Sequence, residues 1–151
     1  MENISYYVDS CIWLNLWQKE ESNTGILYWK IAKDFLEHVR NSTNRSLVSS
    51  GFVIKELKYQ IPNERLFNER LLTLKKFCKL VKATNDDYTL ARQFEAESRF
   101  EISFFDCMHA AISKRMGYIL VTRDRKLIQF SKKYINVIRP EDINHTNYLF
   151  L

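Results

Sequence analysis

Five short β-rich runs alternate with longer helical stripes along this chain, and that alternation limits the folds open to it. The runs are SYYVDS at 5–10, RSLVSS at 45–50, KLVKAT at 79–84, YILVT at 118–122 and INVI at 135–138. Between them Leu27, Ile31, Phe35 and Val39 recur at helical spacing, as do Phe67, Leu71, Leu74 and Phe77, and later Phe105, Met108 and Ile112. FVIKELKYQ reads as a helix that Pro62 breaks, Asn85-Asp86-Asp87 as a helix start, RKLIQFSKK as a short helix, and Gly117 as a helix end. Strands joined by helices of this length need crossover connections, so they lie parallel. The pattern predicts an α/β fold, a parallel sheet with helices on both faces. In such open sheets, ligands bind beyond the carboxyl ends of the strands, near the point where strand order reverses.

The 151 residues fit one domain over 1–151, with no internal repeat and, at 3 Gly and 2 Pro, little material for a long linker. Hydrophobic residues make up 46% and charged residues 27%, as in ordinary soluble domains. No apolar run approaches the ~20 residues of a membrane span. MENISYY lacks the basic start of a signal peptide, and the tail NYLFL is expected to dock on the body. Cys11, Cys78 and Cys107 are odd in number and lack metal-ligand spacing, which points to a reducing compartment, the cytoplasm. The net charge of +5 suits a polyanionic partner, and a solvated basic surface equally well.

One carboxylate is out of place. Asp9 interrupts the apolar run YVDSCIW, where a buried unpaired acid would be costly. The predicted topology offers a reason. Asp9 ends the first strand, Glu56 lies in the first turns of the helix after the second, Asp106 opens the helix before the fourth, and Asp124 lies two residues past the fourth. All four can point toward the carboxyl edge of one sheet. Each also has an ordinary explanation: Asp9 a turn residue, Glu56 a solvated helix residue between Lys55 and Lys58, Asp106 the third helical residue of a capping box begun by Ser103, Asp124 a helix cap. Their joint placement is the signal. Clustered carboxylates repel, and a divalent cation removes the repulsion. Mg²⁺ and Mn²⁺ take oxygen ligands, activate water and neutralise charge on a phosphate. Acids around such an ion, in a basic protein, suit phosphodiester hydrolysis.

On these residues the chain resembles the PIN-domain family over nearly its whole length. The resemblance rests on the apolar strand into Asp9-Ser10, on VIKEL with Glu56, on ISFFDCMHAAISKRMG with Asp106, and on YILVTRDRKL with Thr122 and Asp124. It implies a three-layer α/β/α sandwich with a central parallel five-stranded sheet, the first strand beside the fourth. It implies Mg²⁺ or Mn²⁺ held by Asp9, Asp106 and Asp124, with Glu56 as the fourth catalytic acid, and Ser10 and Thr122 as polar supports. The implied activity is cleavage of RNA, leaving 5′-phosphate and 3′-hydroxyl ends. Many small members resemble VapC-type toxins, which are held by a cognate antitoxin and often dimeric. Asp9→Asn is expected to abolish cleavage and leave the fold intact.

Arg123, Arg125 and Lys126 could steer RNA phosphates or form a solvated basic helix. His109, one turn after Asp106, reads first as a structural histidine and second as a contact to substrate or metal; His38 and His145 carry no pattern. Trp13 and Trp17 read as core residues, or as a groove for a partner helix. Three rival functions stand beside the toxin ribonuclease. One is a PIN nuclease of RNA processing outside any toxin system, and another is a non-catalytic RNA- or protein-binding module. Aspartyl-phosphate chemistry is the third. Its dehalogenase-like form needs an acid where Cys11 stands, and its receiver-like form needs an Asp ending the third strand.

Overall fold

The computed structural model describes residues 3–143. The expected docking of the tail, and His145, lie outside them. The chain runs β1 (Ile4–Val8), α1 (Ser10–Trp17), α2 (Tyr28–Arg40), β2 (Arg45–Ser50), α3 (Gly51–Gln60), α4 (Glu64–Phe77), β3 (Cys78–Val81), α5 (Asn85–Glu97), α6 (Phe104–Met116), β4 (Ile119–Val121), α7 (Arg125–Ser131) and β5 (Val137–Ile138), then a 3₁₀ turn at Pro140–Asp142. All strand pairings are parallel, in the order β3-β2-β1-β4-β5. The expected α/β/α sandwich is therefore present. Strand order reverses at β1, which has β2 on one side and β4 on the other.

β2 spans its run RSLVSS in full, and the other strands are shorter than theirs. KLVKAT stops pairing at Val81, opposite Ser50, because β2 turns into α3 at Gly51. INVI pairs only at Val137 and Ile138. Gly117 ends α6 with φ 69°, a left-handed conformation that costs glycine little. Central strands buried on both faces need apolar side chains on both. Tyr6, Tyr7, Val8, Leu120 and Val121 meet that demand, each fully buried.

The pleat of β1 divides the work between the layers. Tyr6 points to one face, edge-on to Phe35 of α2 with ring centroids 5.6 Å apart. Tyr7 points to the other, its ring 5.2 Å from that of His109 on α6. Asp9, two residues on, shares the Tyr7 side. Its N–H donates to the Val121 carbonyl at 2.9 Å, so the ladder carries one residue past the strand and ends on this acid.

Candidate functional site

Asp9 is 4% exposed and caps α1. One carboxylate oxygen accepts the Ser10 N–H at 2.7 Å, and the other accepts the Thr122 hydroxyl at 2.7 Å. The Thr122 Oγ1 in turn accepts the Asp124 N–H at 3.1 Å. The Thr122 hydroxyl, one residue past β4, thus ties the Asp9 carboxylate to the backbone at Asp124. The cost of burying Asp9 is met in part by these donors. Ser10 contributes through its backbone, since its hydroxyl stands 3.4 Å away. The Cys11 thiol sits 3.5 Å from the same carboxylate; burial and Asp9 push its pKa well up, which keeps it protonated.

Glu56, Asp106 and His109 join Asp9. One ligand atom from each of the four lies within 4.8 Å of the others. His109 is fully buried, with Nε2 2.6 Å from Glu56 Oε1 and 3.7 Å from Asp9 Oδ1. Its Nδ1 lies 2.6 Å from the Tyr7 hydroxyl. The imidazole is therefore both structurally satisfied and part of the acid cluster. Burial alone would lower its pKa, but the hydrogen bond that Nε2–H donates to Glu56 and the charges of Asp9, Glu56 and Asp106 raise it.

Asp106 differs from its neighbours. Ser103 caps α6 by accepting the Asp106 N–H at 3.2 Å, as the sequence suggested. The carboxylate does not return that bond and has no hydrogen-bond donor among the described residues. Burial and the charges of Asp9, Glu56 and Asp124 push its pKa up to about 7, against the opposing charge of His109. Three acids and one imidazole in so small a volume form a donor set suited to a divalent cation. Burial and like-charge repulsion both raise the Asp106 pKa, and such an ion would offset both.

The other predicted residues fall outside this group. Asp124 is exposed and caps α7 through the Leu127 N–H at 3.2 Å. Its charge still bears on Asp106. Arg123 is engaged elsewhere: two nitrogens bond Glu141 at 3.0 Å each, and the guanidinium lies 4.2 Å over Tyr28. Arg125 and Lys126 are exposed on the first turn of α7. Tyr7 and Ser50 were missed by the sequence reading. Tyr7 was within its reach, since a residue two before Asp9 on a strand shares its face.

The PIN domain family model matches residues 6–133, and the chain belongs to that family. A sequence comparison with curated proteins finds no match. Among solved structures, the fold is similar to VapBC-1 from nontypeable Haemophilus influenzae, with TM-score 0.69 and 16% identity over 91% of this chain and 99% of that one. It is also similar to VapBC2 from Rickettsia felis, solved bound to a DNA fragment from their promoter, with TM-score 0.70 and 13% identity over 90% and 98%. FitAcB from Neisseria gonorrhoeae gives 0.62 and 14%, over 90% and 98%.

Proposed function

We propose that this PIN-domain chain is a metal-dependent endoribonuclease that hydrolyses RNA phosphodiester bonds, and that it is the toxin of a toxin–antitoxin pair. The observation that carries the reading is the cluster of Asp9, Glu56, Asp106 and His109 at the strand-order switch of a basic protein. Asp9 and Asp106 would hold Mg²⁺ or Mn²⁺, with Glu56 beside them and Asp124 adding its charge from the rim. Bound there, the cation would supply an activated water and offset charge on the phosphate.

The chain's own groups do the rest. Ser10 and Thr122 fix the Asp9 carboxylate before any ion arrives. Asp106 offers an unbonded carboxylate. Arg125 and Lys126 draw the RNA backbone toward the carboxyl edge. Arg123 instead braces the segment after β4 against Glu141.

The antitoxin reading draws on the fold shared with the VapBC and FitAcB structures and on a second surface. Trp13, Leu16, Trp17, Leu36, Arg40 and Phe77 border a groove of about 220 Å³. Trp13 is 2% exposed, yet its Nε1 has no acceptor among the described residues. An amphipathic partner helix would fill such a groove. The three free cysteines fit a reducing cytoplasm, and a homodimer belongs to the same reading.

Cleavage of labelled RNAs with Mg²⁺ or Mn²⁺, wild type against Asp9→Asn, tests the activity. Wild type is expected to cut and the variant to do nothing above background. Wild-type rates from Asp9→Asn in pure Mg²⁺ would remove the assignment. Tight RNA binding without cleavage under any divalent ion would favour a binding module. A neighbouring reading frame for a small DNA-binding protein, whose product abolishes cleavage when co-purified, separates a toxin from an RNA-processing nuclease.

A further inference from the structure

Beneath the acids, four side chains form an unbroken hydrogen-bonded chain. Ser50 Oγ lies 2.6 Å from Tyr7 Oη, Tyr7 Oη 2.6 Å from His109 Nδ1, and His109 Nε2 2.6 Å from Glu56 Oε1. Tyr7 and His109 are wholly buried and Ser50 nearly so. Ser50 Oγ also accepts the Phe52 N–H at 3.2 Å. A carboxylate only accepts, so His109 Nε2 carries the hydrogen that points at Glu56, whether the ring is neutral or charged. The Tyr7 hydroxyl both donates and accepts, so it bonds Nδ1 and Ser50 Oγ in either state of the ring. Every member is satisfied, and the chain ends on a carboxylate of the acid cluster.

Its connectivity matters more than its length. Ser50 caps α3, the helix that carries Glu56. Tyr7 lies on β1, two residues before Asp9, and His109 lies on α6, one turn after Asp106. The chain thus leaves α3 at its first turn, crosses β1 and α6, and returns to α3 at Glu56. The three elements it ties together are the three that carry Asp9, Glu56 and Asp106.

We propose that Tyr7 and His109 are positioning residues that make the acid cluster a preformed divalent-cation site. They set the spacing of β1, α3 and α6 and hold Glu56 in one orientation. The inference rests on the metal-dependent reading above. A histidine that merely fills space could be replaced by an apolar residue of similar size without consequence for ion binding. A histidine that orients a carboxylate could not. Loss of such an outer partner typically costs about 10–100-fold in metal affinity or activity.

The test is Mn²⁺ binding to the full chain by calorimetry, with circular dichroism and melting curves alongside. Tyr7→Phe removes one oxygen and is expected to weaken Mn²⁺ binding about tenfold. His109→Leu should weaken it about 10–100-fold. His109→Gln keeps an amide N–H for Glu56 and should recover much of the loss. If Tyr7→Phe and His109→Leu fold and bind Mn²⁺ as wild type does, the proposal is overturned, even where melting temperatures fall. Should His109→Leu not fold, Tyr7→Phe decides alone. Failure of wild type to bind Mn²⁺ would overturn the proposal together with the metal reading. Wild-type Mn²⁺ binding with RNA left intact would remove the ribonuclease reading only.

Discussion

Two helices of this chain start on the same local pattern and put it to opposite uses. Thr84 and Asp87 open α5; Ser103 and Asp106 open α6, with the same three-residue spacing. At α5 the box closes, because Asp87 accepts the Thr84 N–H at 2.9 Å while Thr84 accepts the Asp87 N–H at 3.3 Å. Arg115, near the end of α6, then grips both Asp87 oxygens at 2.9 and 3.1 Å. Burial would raise the Asp87 pKa, but Arg115 and the Thr84 donors outweigh it and hold it below the usual carboxylate range. At α6 only the Ser103 half of the box forms. Burial and the charges of the other acids outweigh the opposing charge of His109, and the Asp106 pKa rises to about 7. The local code for a helix start is identical. What differs is the charge brought against it from elsewhere in the fold. Asp87 is surrounded by donors, whereas the Asp106 carboxylate is left without them among the described residues.

The largest effect should come from removing a cluster acid. Asp106→Asn is expected to drop RNA cleavage to background while raising the melting temperature of the metal-free protein by about 2–4 °C, as repulsion is relieved. It should also shrink the further rise that Mn²⁺ gives wild type. A lower metal-free melting temperature would mean that Asp106 is a structural acid like Asp87.

Next in size is the mirror experiment. Asp87→Asn leaves Arg115 without its buried partner. Because the Arg115 side chain is 31% exposed and can turn to water, the loss should be about 2 kcal/mol rather than the full cost of a stranded charge. Cleavage should be unchanged. Urea titration and the RNA assay check both halves.

That pair should also carry a pH signature. Asp87 has a lowered folded pKa, so its contribution is complete above its ordinary unfolded pKa and disappears as pH falls through the folded one. The stability gap between wild type and Asp87→Asn should therefore be flat near neutrality and close in acid. A gap that opens as pH falls would reverse the sign.

A smaller effect is expected from Thr122→Val, which deletes the hydroxyl between Asp9 and the Asp124 backbone. Cleavage should fall about tenfold, with Mn²⁺ affinity falling in step. The smallest should come from Arg125→Ala with Lys126→Ala, a few-fold rise in KM that fades as salt is raised.

Much of the architecture was legible in the sequence because its determinants are local. The alternation of β-rich runs with helical stripes gave the parallel sheet, and the Asn85 and Gly117 punctuation gave the ends of α5 and α6. Asp9 was legible as well, since an acid inside an apolar run has few ordinary explanations. Strand lengths were less so, because β3 pairs only as far as its partner β2 runs before turning into α3 at Gly51.

The cluster itself was a tertiary decision. By sequence the acids Asp9, Glu56, Asp106 and Asp124 all pointed to one sheet edge, with Asp9 the strongest candidate and Glu56 the weakest. Helix orientation brought Glu56 in beside His109, while Asp124 turned to the first turn of α7. Arg123 reads like any basic residue until Glu141 and Tyr28 arrive from distant segments. His109 needed the Tyr7 hydroxyl, 102 residues away, before its second nitrogen had a role. Propensity and periodicity act over a few residues, so the sequence determines them directly. Whether a carboxylate meets a guanidinium, an imidazole or another carboxylate depends on contacts between segments far apart in the chain, and only the folded structure sets those.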